Sequence, residues 1–440
     1  MKLEGTKVVV VGMARSGRAA VELLLERGAR VIAVDQNAAN LINVEPQTER
    51  AFDDAELIVL SPGVPADLAE LESARRRGVR VIGDLELASW FLKGDIIGIT
   101  GANGKTTTTA LTGHILRESN IDAQVGGNIG TPPASMVKTS RAEQWNVLEL
   151  SSFQLETTEQ FRAHIGAALN VTPDHLDRHH TLANYAAAKG RLFVNQREGD
   201  FAVLNADDFI CKSYASLSVG KPVWFSSTRR VFDGAWFDGT EIRLDGQPLI
   251  AANEVPLRGV HNIENAMAAA LIANLAGATL SQIRAAIMSF PGVEHRLEFV
   301  RTLDGVAWYN DSKATNVDAT LKAIHAFPGG LWMILGGKDK DSDYSLLAEP
   351  LQAKAHAALL IGAAAGKIEA QLKGALPLIS CSTLENAVAE ARSRARSGDT
   401  VLLAPACASF DQFENYEHRG REFKRMVHAL DAQQEAGWRN

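Results

Sequence analysis

The sequence predicts an α/β protein of three domains, at residues 1–93, 94–292 and 293–440. With 440 residues, the chain is too long for one ordinary hydrophobic core, so two or three domains are expected. Three blocks each open with an apolar, β-branched run that leads into a loop and then a helical segment. A Pro-Gly pair at 291–292 has the composition of a linker and separates the last two blocks.

The first and third blocks predict Rossmann-like, doubly wound parallel sheets, because strand and helix patterns alternate along them. The first block has strand patterns at 7–11, 30–34, 57–60 and 79–82, and helical patterns at 19–26 and 66–77. The third block has strand patterns at 306–309, 331–335, 358–361 and 400–403, and helical patterns at 317–326 and 384–397. Alanine-rich runs at 183–188 and 266–276 predict two helices in the middle block.

Composition places limits on location and partners. Hydrophobic residues make up 46% and charged residues 22% of the chain, as in soluble globular proteins. The net charge of −7 gives no general attraction to nucleic acid or anionic lipid. The cysteines Cys211, Cys381 and Cys407 lie far apart, which suits a reducing compartment. We therefore expect a cytoplasmic protein that binds neither nucleic acid nor membrane.

The segment IIGITGANGKTTTT at 96–109 predicts a phosphate-binding loop. A strand, a glycine-bearing turn and a helix N-terminus point backbone N–H groups at an anion. Lys105 would reach the outer phosphates of ATP and Thr106 would hold Mg²⁺. The spacing is G-x-x-G-K-T rather than the general G-x-x-x-x-G-K-[ST], because Ile99 stands where that pattern needs glycine. The predicted ATP-binding residues of the loop are Gly101, Ala102, Asn103, Gly104, Lys105, Thr106, Thr107 and Thr108.

The turn after the first strand leaves three interpretations open. Gly12 and Gly17, with Asp35 at the end of the second strand, come close to a dinucleotide fingerprint, but Ala14 replaces its middle glycine. The turn could serve a nicotinamide cofactor, carry the diphosphate of a UDP-sugar, or only tolerate glycine. Ser61 follows another strand of this block, where open α/β sheets bind ligands.

Acidic and histidine residues of the middle block predict a metal site. Glu149 ends an apolar strand downstream of the phosphate loop and could hold a cation on nucleotide oxygens. His175, His179 and His180 fall within six residues, beside two aspartates. Mg²⁺ is the expected metal, because the chemistry involves phosphate and no thiolate is near.

Several motifs resemble those of the Mur ligases. The loop T-G-x-N-G-K-[ST] is similar to that of Mur ligases and folylpolyglutamate synthetases, and HNIENAMAA at 261–269 resembles a further Mur segment. The segments NDSKATN, GGKDK and PACASFDQFENYEHRGREF resemble the branch that adds D-glutamate to UDP-N-acetylmuramoyl-L-alanine. The resemblance covers all three domains. It implies an ATP-dependent ligase that forms an acyl phosphate during cytoplasmic peptidoglycan precursor synthesis, and we expect a monomer.

The resemblance also implies roles for individual residues. Two Mg²⁺ ions would be held by Thr106, Glu149, His175 and a carbamylated Lys189, with Lys105, Lys189 and His175 in catalysis. ATP would be contacted further by Asn265, Arg296, Asp311 and Lys313. D-glutamate would be bound by Thr315, Lys338, Ser409 and Phe410. The UDP-linked substrate would lie against Arg15, Ser16, Asp35, Gln36, Ser61, Gly63 and Asn128.

The sequence departs from the pattern of that branch in two places. Phe410 stands where leucine is expected and Tyr416 where phenylalanine is expected, which should reshape the wall of the glutamate pocket. Arg15-Ser16 and Gln36-Asn37 differ from the usual diphosphate and uracil contacts. Two alternatives stay open: another Mur-type branch or a folate-type glutamate ligase, and a nucleotide-binding oxidoreductase or regulatory protein.

Overall fold

A computed structural model describes residues 3–257, 259–339 and 341–431. The chain divides into two compact units, Met1–Pro291 and Gly292–Asn440. The first unit contains two sheets and the second unit contains one. Among the residues described, no helix combines the length and apolar character needed to cross a membrane.

The first sheet is parallel throughout. Its strands are β1 (Lys7–Val11), β2 (Arg30–Asp35), β3 (Glu45–Pro46), β4 (Leu57–Leu60) and β5 (Arg80–Gly83), in the order β3-β2-β1-β4-β5. The helices are α1 (Arg15–Glu26), α2 (Ala69–Arg76) and α3 (Asp84–Ser89).

Helices cover both faces of this sheet, because successive strand residues face opposite sides. Val8 and Val10 share one core with Leu23 of α1. Val9 and Val11 share another with Leu71 of α2. The predicted Rossmann-like, doubly wound arrangement is therefore confirmed, and the predicted strand positions agree to within one residue.

The second sheet has nine strands and an antiparallel extension that the sequence analysis did not locate. Its strands are β6 (Ile96–Thr100), β7 (Ala123–Gly127), β8 (Trp145–Glu149), β9 (Ile165–Ala168), β10 (Phe201–Asn205), β11 (Lys221–Ser226), β12 (Gly234–Phe237), β13 (Glu241–Leu244) and β14 (Gln247–Ala251). The order is β14-β13-β12-β11-β10-β9-β6-β8-β7. The strands from β7 to β12 pair in parallel, whereas β12, β13 and β14 pair antiparallel.

The helices of this region include both predicted alanine-rich segments. They are α4 (Lys105–Glu118), α5 (Pro133–Met136), α6 (Ser152–Leu155), α7 (Leu176–His179), α8 (Leu182–Val194), α9 (Phe209–Ser213), α10 (Val260–Leu275) and α11 (Leu280–Ser289). Helix α10 starts six residues before its predicted alanine run. It is buried along most of its length, and its small side chains let it pack closely on α4.

A buried carboxylate joins the first sheet's region to the second. Glu86 of α3 is fully buried and accepts hydrogen bonds from the backbone N–H groups of Glu159, Gln160 and Phe161, at 2.9–3.1 Å. Its Oε1 also accepts from the indole N–H of Trp90 at 3.0 Å. Because backbone N–H groups of residues 159–161 donate to the carboxylate, it fixes α3 against that loop.

The second unit is an open sheet with one antiparallel edge strand. Its strands are β15 (Glu298–Leu303), β16 (Val306–Asn310), β17 (Leu331–Gly336), β18 (Ala355–Ile361), β19 (Leu378–Ser382) and β20 (Thr400–Leu403), in the order β15-β16-β20-β17-β18-β19. Only β15 runs antiparallel to its neighbour among these described strands. The helices are α12 (Val317–His325), α13 (Ala348–Lys354), α14 (Ala365–Leu372), α15 (Leu384–Arg394) and α16 (Tyr416–Ala429). Separate cores lie on its two faces, which confirms the predicted Rossmann-like class.

Candidate active site

The predicted phosphate loop connects β6 to the N-terminus of α4. All five residues of β6 are buried, and α4 begins at Lys105. Gly104 caps the helix with a left-handed backbone (φ +84°), and a Cβ atom there would collide with the side chain of Asn265. Only glycine fits this position without strain. The first N–H groups of a helix and its positive dipole end favour an anion here.

An asparagine from the neighbouring strand fixes the shape of the loop. Asn170 follows β9, and its Oδ1 accepts from the Asn103 N–H at 2.8 Å while its Nδ2 donates to the Asn103 carbonyl at 3.1 Å. The N–H of Ala102 donates to the backbone carbonyl of Asn170 at 2.8 Å. This pairing holds the loop backbone in one conformation. The sequence analysis did not identify Asn170.

Two lysines converge on one carbonyl of the loop. The Nζ of Lys105 donates to the carbonyls of Gly101 and Ala102 at 2.9 and 3.0 Å, and the Nζ of Lys189 donates to that of Gly101 at 2.8 Å. Lys189, on α8, is 1% exposed and lies 4.5 Å above the ring of Tyr185. Burial, reinforced by the nearby charge of Lys105, lowers the pKa of Lys189 to about 7. A substantial fraction of Lys189 therefore carries a neutral amine near neutral pH.

Glu149 lies at the end of β8 and is buried, and one of its carboxylate oxygens accepts no hydrogen bond from the described residues. One oxygen, Oε1, accepts from the Nδ2 of Asn128 at 3.0 Å. The other, Oε2, is buried and has no hydrogen-bond partner among the described residues. An unpaired buried carboxylate oxygen is unfavourable unless a cation or donor reaches it. Together with the hydroxyl of Thr106, it offers the oxygen ligands that Mg²⁺ prefers, so these residues fit that ion.

The three histidines have different polar partners, although the rings of His175 and His179 both lie near Phe153 and Tyr185. His175 precedes α7 in a left-handed conformation (φ +52°), is half exposed, and lies with Nε2 3.5 Å from Asp174 Oδ2. His179 is buried, with Nε2 2.9 Å from Ser152 Oγ, and burial lowers its pKa. His180 is exposed and faces Asp67 at 4.0 Å.

The metal site predicted from the spacing of these histidines stays a prediction. No group of three His, Cys, Asp or Glu side chains suited to a metal occurs in the described part of the chain. The side chain of Asp177 lies outside the described residues.

Asn265 connects α10 to the helix that follows the phosphate loop. It is buried, and its Oδ1 accepts from the Thr108 hydroxyl at 3.3 Å. Its Nδ2 donates to Asn262 Oδ1 at 2.9 Å. The predicted ATP residue Asn265 thus lies against the loop, beside Gly104.

The predicted residues of the first sheet gather at the carboxyl ends of its strands. Asp35 accepts from the N–H of Met13 at 2.7 Å and from that of Asn37 at 2.8 Å, which ties the ends of β1 and β2 together. Ser61 follows β4 and is buried. Arg15 donates to the carbonyl of Gly130 at 2.6 Å, so α1 begins beside the loop that carries Asn128. Of the other predicted residues, Ser16 lies in the first turn of α1, and Gln36 and Gly63 follow β2 and β4.

Three loops meet at the carboxyl edge of the second unit's sheet. Lys338 and Ala408 exchange backbone hydrogen bonds at 2.8 and 3.2 Å, joining the loops after β17 and β20. Asp311 follows β16 and is buried, and burial raises its pKa to about 6 against the opposing charge of Arg296. The neighbouring Lys340 lies outside the described residues.

The side chains assigned to D-glutamate belong to these three loops. Ser409 is buried, whereas Phe410 is 65% exposed. Thr315 and Lys313 lie in the loop after β16, where the N–H of Thr315 donates to the carbonyl of Lys313 at 2.8 Å. The structure thus brings the predicted ligands of D-glutamate to one edge of one sheet.

Arg419 organises these loops and was missed by the sequence analysis. It is fully buried on α16 and donates to Oγ and the carbonyl of Ser312, both at 2.9 Å. It also donates to the carbonyls of Cys407 and Ala408 at 3.2 and 3.4 Å. Burial lowers the pKa of Arg419 to about 10. Its spacing of four from Phe423, on the buried face of α16, was the available signal.

Comparisons with known proteins match all three regions. Family models match residues 6–83 (Mur ligase MurD-like, N-terminal domain), 99–273 (Mur ligase middle domain) and 295–407 (Mur ligase, glutamate ligase domain). The UDP-N-acetylmuramoylalanine–D-glutamate ligase of Solibacter usitatus is 60% identical over 98% of this chain and 99% of its own length. The ligase of the same name from Acidobacterium capsulatum is 48% identical over 100% and 99%.

Solved structures show the same fold at lower identity. The UDP-N-acetylmuramate-alanine ligase MurC of Thermotoga maritima has a TM-score of 0.62 at 18% identity, covering 96% of this chain and 99% of that one. The MurF ligase of the same organism, in complex with ADP, has a TM-score of 0.60 at 18% identity, covering 97% and 96%.

Proposed function

The chain belongs to the Mur ligase family, and we propose that it uses ATP to join D-glutamate to UDP-N-acetylmuramoyl-L-alanine in peptidoglycan precursor synthesis. The observation that carries this proposal is the 60% identity, over 98% of the chain, to a ligase named for that reaction. The solved MurC and MurF ligases of Thermotoga maritima are each 18% identical to this chain. The oxidoreductase alternative is set aside, because residues 6–83 match the N-terminal domain of a Mur ligase.

ATP is proposed to lie on the loop between β6 and α4. The N–H groups of that loop and the dipole of α4 hold the phosphates. Lys105 exchanges its contacts with the carbonyls of Gly101 and Ala102 for the outer phosphates, where it stabilises the charge of the transferring group. Asn265 is assigned to ATP beside the loop. Three residues of the second unit are also predicted to contact ATP: Arg296, Asp311 and Lys313.

The proposed reaction proceeds through an acyl phosphate. A carboxylate oxygen of the alanyl group attacks the γ-phosphorus, the bond from that phosphorus to ADP breaks, and ADP leaves. The amine of D-glutamate then attacks the acyl carbon. The tetrahedral intermediate collapses with cleavage of the bond to phosphate, and the nitrogen loses a proton as the amide forms.

Thr106, Glu149, His175 and a carbamylated Lys189 are proposed to hold two Mg²⁺ ions. When bound, Mg²⁺ would neutralise negative charge on the phosphate oxygens. The unpaired Oε2 of Glu149 supports this assignment. In carbamylation the neutral Nζ of Lys189 forms a bond to the carbon of CO₂ and loses one proton. Burial supports this step, since it lowers the pKa of Lys189 to about 7 and so supplies neutral amine.

The substrate contacts and the organisation of the chain complete the proposal. D-glutamate is assigned to Thr315, Lys338, Ser409 and the backbone of Phe410. The UDP-linked substrate is assigned to the strand ends of the first sheet and to Asn128. We propose the same domain limits as those predicted from the sequence, 1–93, 94–292 and 293–440. We propose that the protein acts as a monomer in the cytoplasm.

An oxygen-labelling experiment tests this route. UDP-N-acetylmuramoyl-L-alanine labelled with ¹⁸O in its alanyl carboxylate is incubated with the full-length protein, ATP and D-glutamate. We expect one ¹⁸O atom in each phosphate released and a product heavier by one glutamyl residue. Unlabelled phosphate accompanying that product would refute the acyl phosphate, and the absence of product would refute the assigned reaction.

A further inference from the structure

Asn128 contacts the carboxylate that the proposed function assigns to Mg²⁺. It lies in the loop after β7, and its Nδ2 donates to Glu149 Oε1 at 3.0 Å. Its backbone N–H donates to the carbonyl of the same glutamate at 2.8 Å. Asn128 therefore holds Glu149 by both its side chain and its backbone, although the resemblance assigns it only to the UDP-linked substrate.

The contact distinguishes the two oxygens of a carboxylate that is otherwise symmetric. Glu149 is 2% exposed, so neither oxygen can be solvated freely. Oε1 is satisfied by Asn128, whereas Oε2 is buried without a partner in the described part of the chain. Rotation of the carboxylate would exchange the two oxygens, and the hydrogen bond from Asn128 opposes that rotation. Partners of this kind orient metal ligands and tune their affinity.

The same loop contacts the substrate-binding end of the first sheet. Arg15, at the start of α1, donates to the carbonyl of Gly130 at 2.6 Å. The N–H of Gly127 donates to the carbonyl of Thr131 at 2.9 Å, which closes the loop into a turn. The side chain of Asn128 is otherwise exposed, so a substrate can reach it from the solvent side. The loop thus lies between the residues assigned to the UDP-linked substrate and the carboxylate assigned to the metal.

We propose that Asn128 is a positioning residue for the metal-binding carboxylate: its amide occupies Oε1 of Glu149 and leaves Oε2 for a divalent cation. The inference rests on the proposed function, which assigns Glu149 to Mg²⁺. The loop at 126–131 thus contacts both α1, through Gly130, and the proposed metal-binding carboxylate, through Asn128.

A double-mutant cycle on cation binding tests the inference without turnover. Mn²⁺ is titrated into the full-length protein with a non-hydrolysable ATP analogue, and free Mn²⁺ is followed by electron paramagnetic resonance. Asn128→Ala is expected to weaken Mn²⁺ binding about tenfold. In a Glu149→Gln background, which itself weakens binding, adding Asn128→Ala should change nothing further, since Asn128 acts through Glu149. Asn128→Ser is a second variant too short to reach the carboxylate, and unfolding temperatures confirm that each variant is folded.

Gln36→Ala is the matched control, since it truncates another exposed amide assigned to the UDP-linked substrate. It should raise the KM for that substrate and leave Mn²⁺ binding unchanged. Unchanged Mn²⁺ affinity in Asn128→Ala, or equal losses with and without Glu149→Gln, would overturn the inference alone. Unchanged affinity in Glu149→Gln would overturn the metal assignment together with the inference. Ligation that depends on D-glutamate would still support the reaction in that case, so the failures are distinguishable.

Discussion

The buried carboxylate of Glu86 should stabilise the junction between the first two sheets. Its Oε2 accepts from three backbone N–H groups, and Oε1 accepts from Trp90 and again from Gln160. In Glu86→Gln, one oxygen becomes an NH₂ group that cannot accept. The best arrangement keeps the remaining oxygen on the backbone side and leaves the indole N–H without an acceptor.

The expected loss follows from the hydrogen bonds that change. Hydrogen bonds to a charged group contribute about 1.5–3 kcal/mol each and neutral ones about 1 kcal/mol. Losing one charged bond and weakening the others predicts that the free energy of unfolding falls by at least about 3 kcal/mol. The matched control is Glu159→Gln, which removes an exposed pair with Arg80 whose side chains are 42% and 35% exposed. That change should lower stability by less than about 1 kcal/mol.

Urea unfolding gives the stability of each variant, and hydrogen exchange followed by mass spectrometry reports on the segment at 159–161. Glu86→Gln should increase exchange in that segment far more than Glu159→Gln does. Equal, small effects of the two substitutions on both measurements would refute the account of this junction.

Further predictions concern the phosphate loop and its lysines. Lys105→Ala should slow phosphate release by about 10²-fold or more. Calorimetry should show unchanged binding of the UDP-linked substrate. Normal turnover of ATP would contradict the assignment of this loop to the phosphates. Asn170→Ala removes two hydrogen bonds that hold Asn103, and should raise the KM for ATP about tenfold, with the KM for D-glutamate as the internal control. Because the pKa of Lys189 is lowered to about 7, its neutral fraction falls about tenfold for each pH unit below that value. Protein depleted of CO₂ should therefore regain activity on adding bicarbonate, needing more dissolved CO₂ at pH 6 than at pH 8, and a pH-independent requirement would count against carbamylation.

The central parallel strands of the sheets could be predicted from sequence, because strands buried on both faces are continuous apolar runs. The residues VVVV of β1 and IIGIT of β6 are fully or almost fully buried, and each leads into a helix. The phosphate loop could also be predicted, because the glycine that its backbone requires is visible in the sequence. Gly104 adopts a left-handed conformation next to a helix N-terminus.

The antiparallel strands escaped the sequence analysis although one signal was present. Asp245 and Gly246, both with positive φ, form the turn between β13 and β14. An Asp-Gly pair between alternating residues is typical of a β-hairpin. Each of these strands has only four or five residues, so its apolar pattern is weak.

The roles of the buried polar residues could not be predicted from local patterns, although the spacing of Arg419 from Phe423 indicated its burial. Glu86 and Arg419 look like ordinary charged residues of amphipathic helices, and only their tertiary contacts show that they organise a junction and a group of loops. The histidines after residue 174 are a different case. Their close spacing indicated a metal site, and this stays a prediction, because each ring has a different polar partner although His175 and His179 both pack against Phe153.

Phosphate release from ATP in the presence of UDP-N-acetylmuramoyl-L-alanine, measured with a panel of amino acids, tests the central claim most directly. We expect release that depends on D-glutamate, with L-glutamate and D-aspartate as matched controls, and a product heavier by one glutamyl residue. Release that depends on a different amino acid would contradict the assignment of the branch, and no release with any acceptor, despite measurable ATP binding, would contradict the assignment of the reaction.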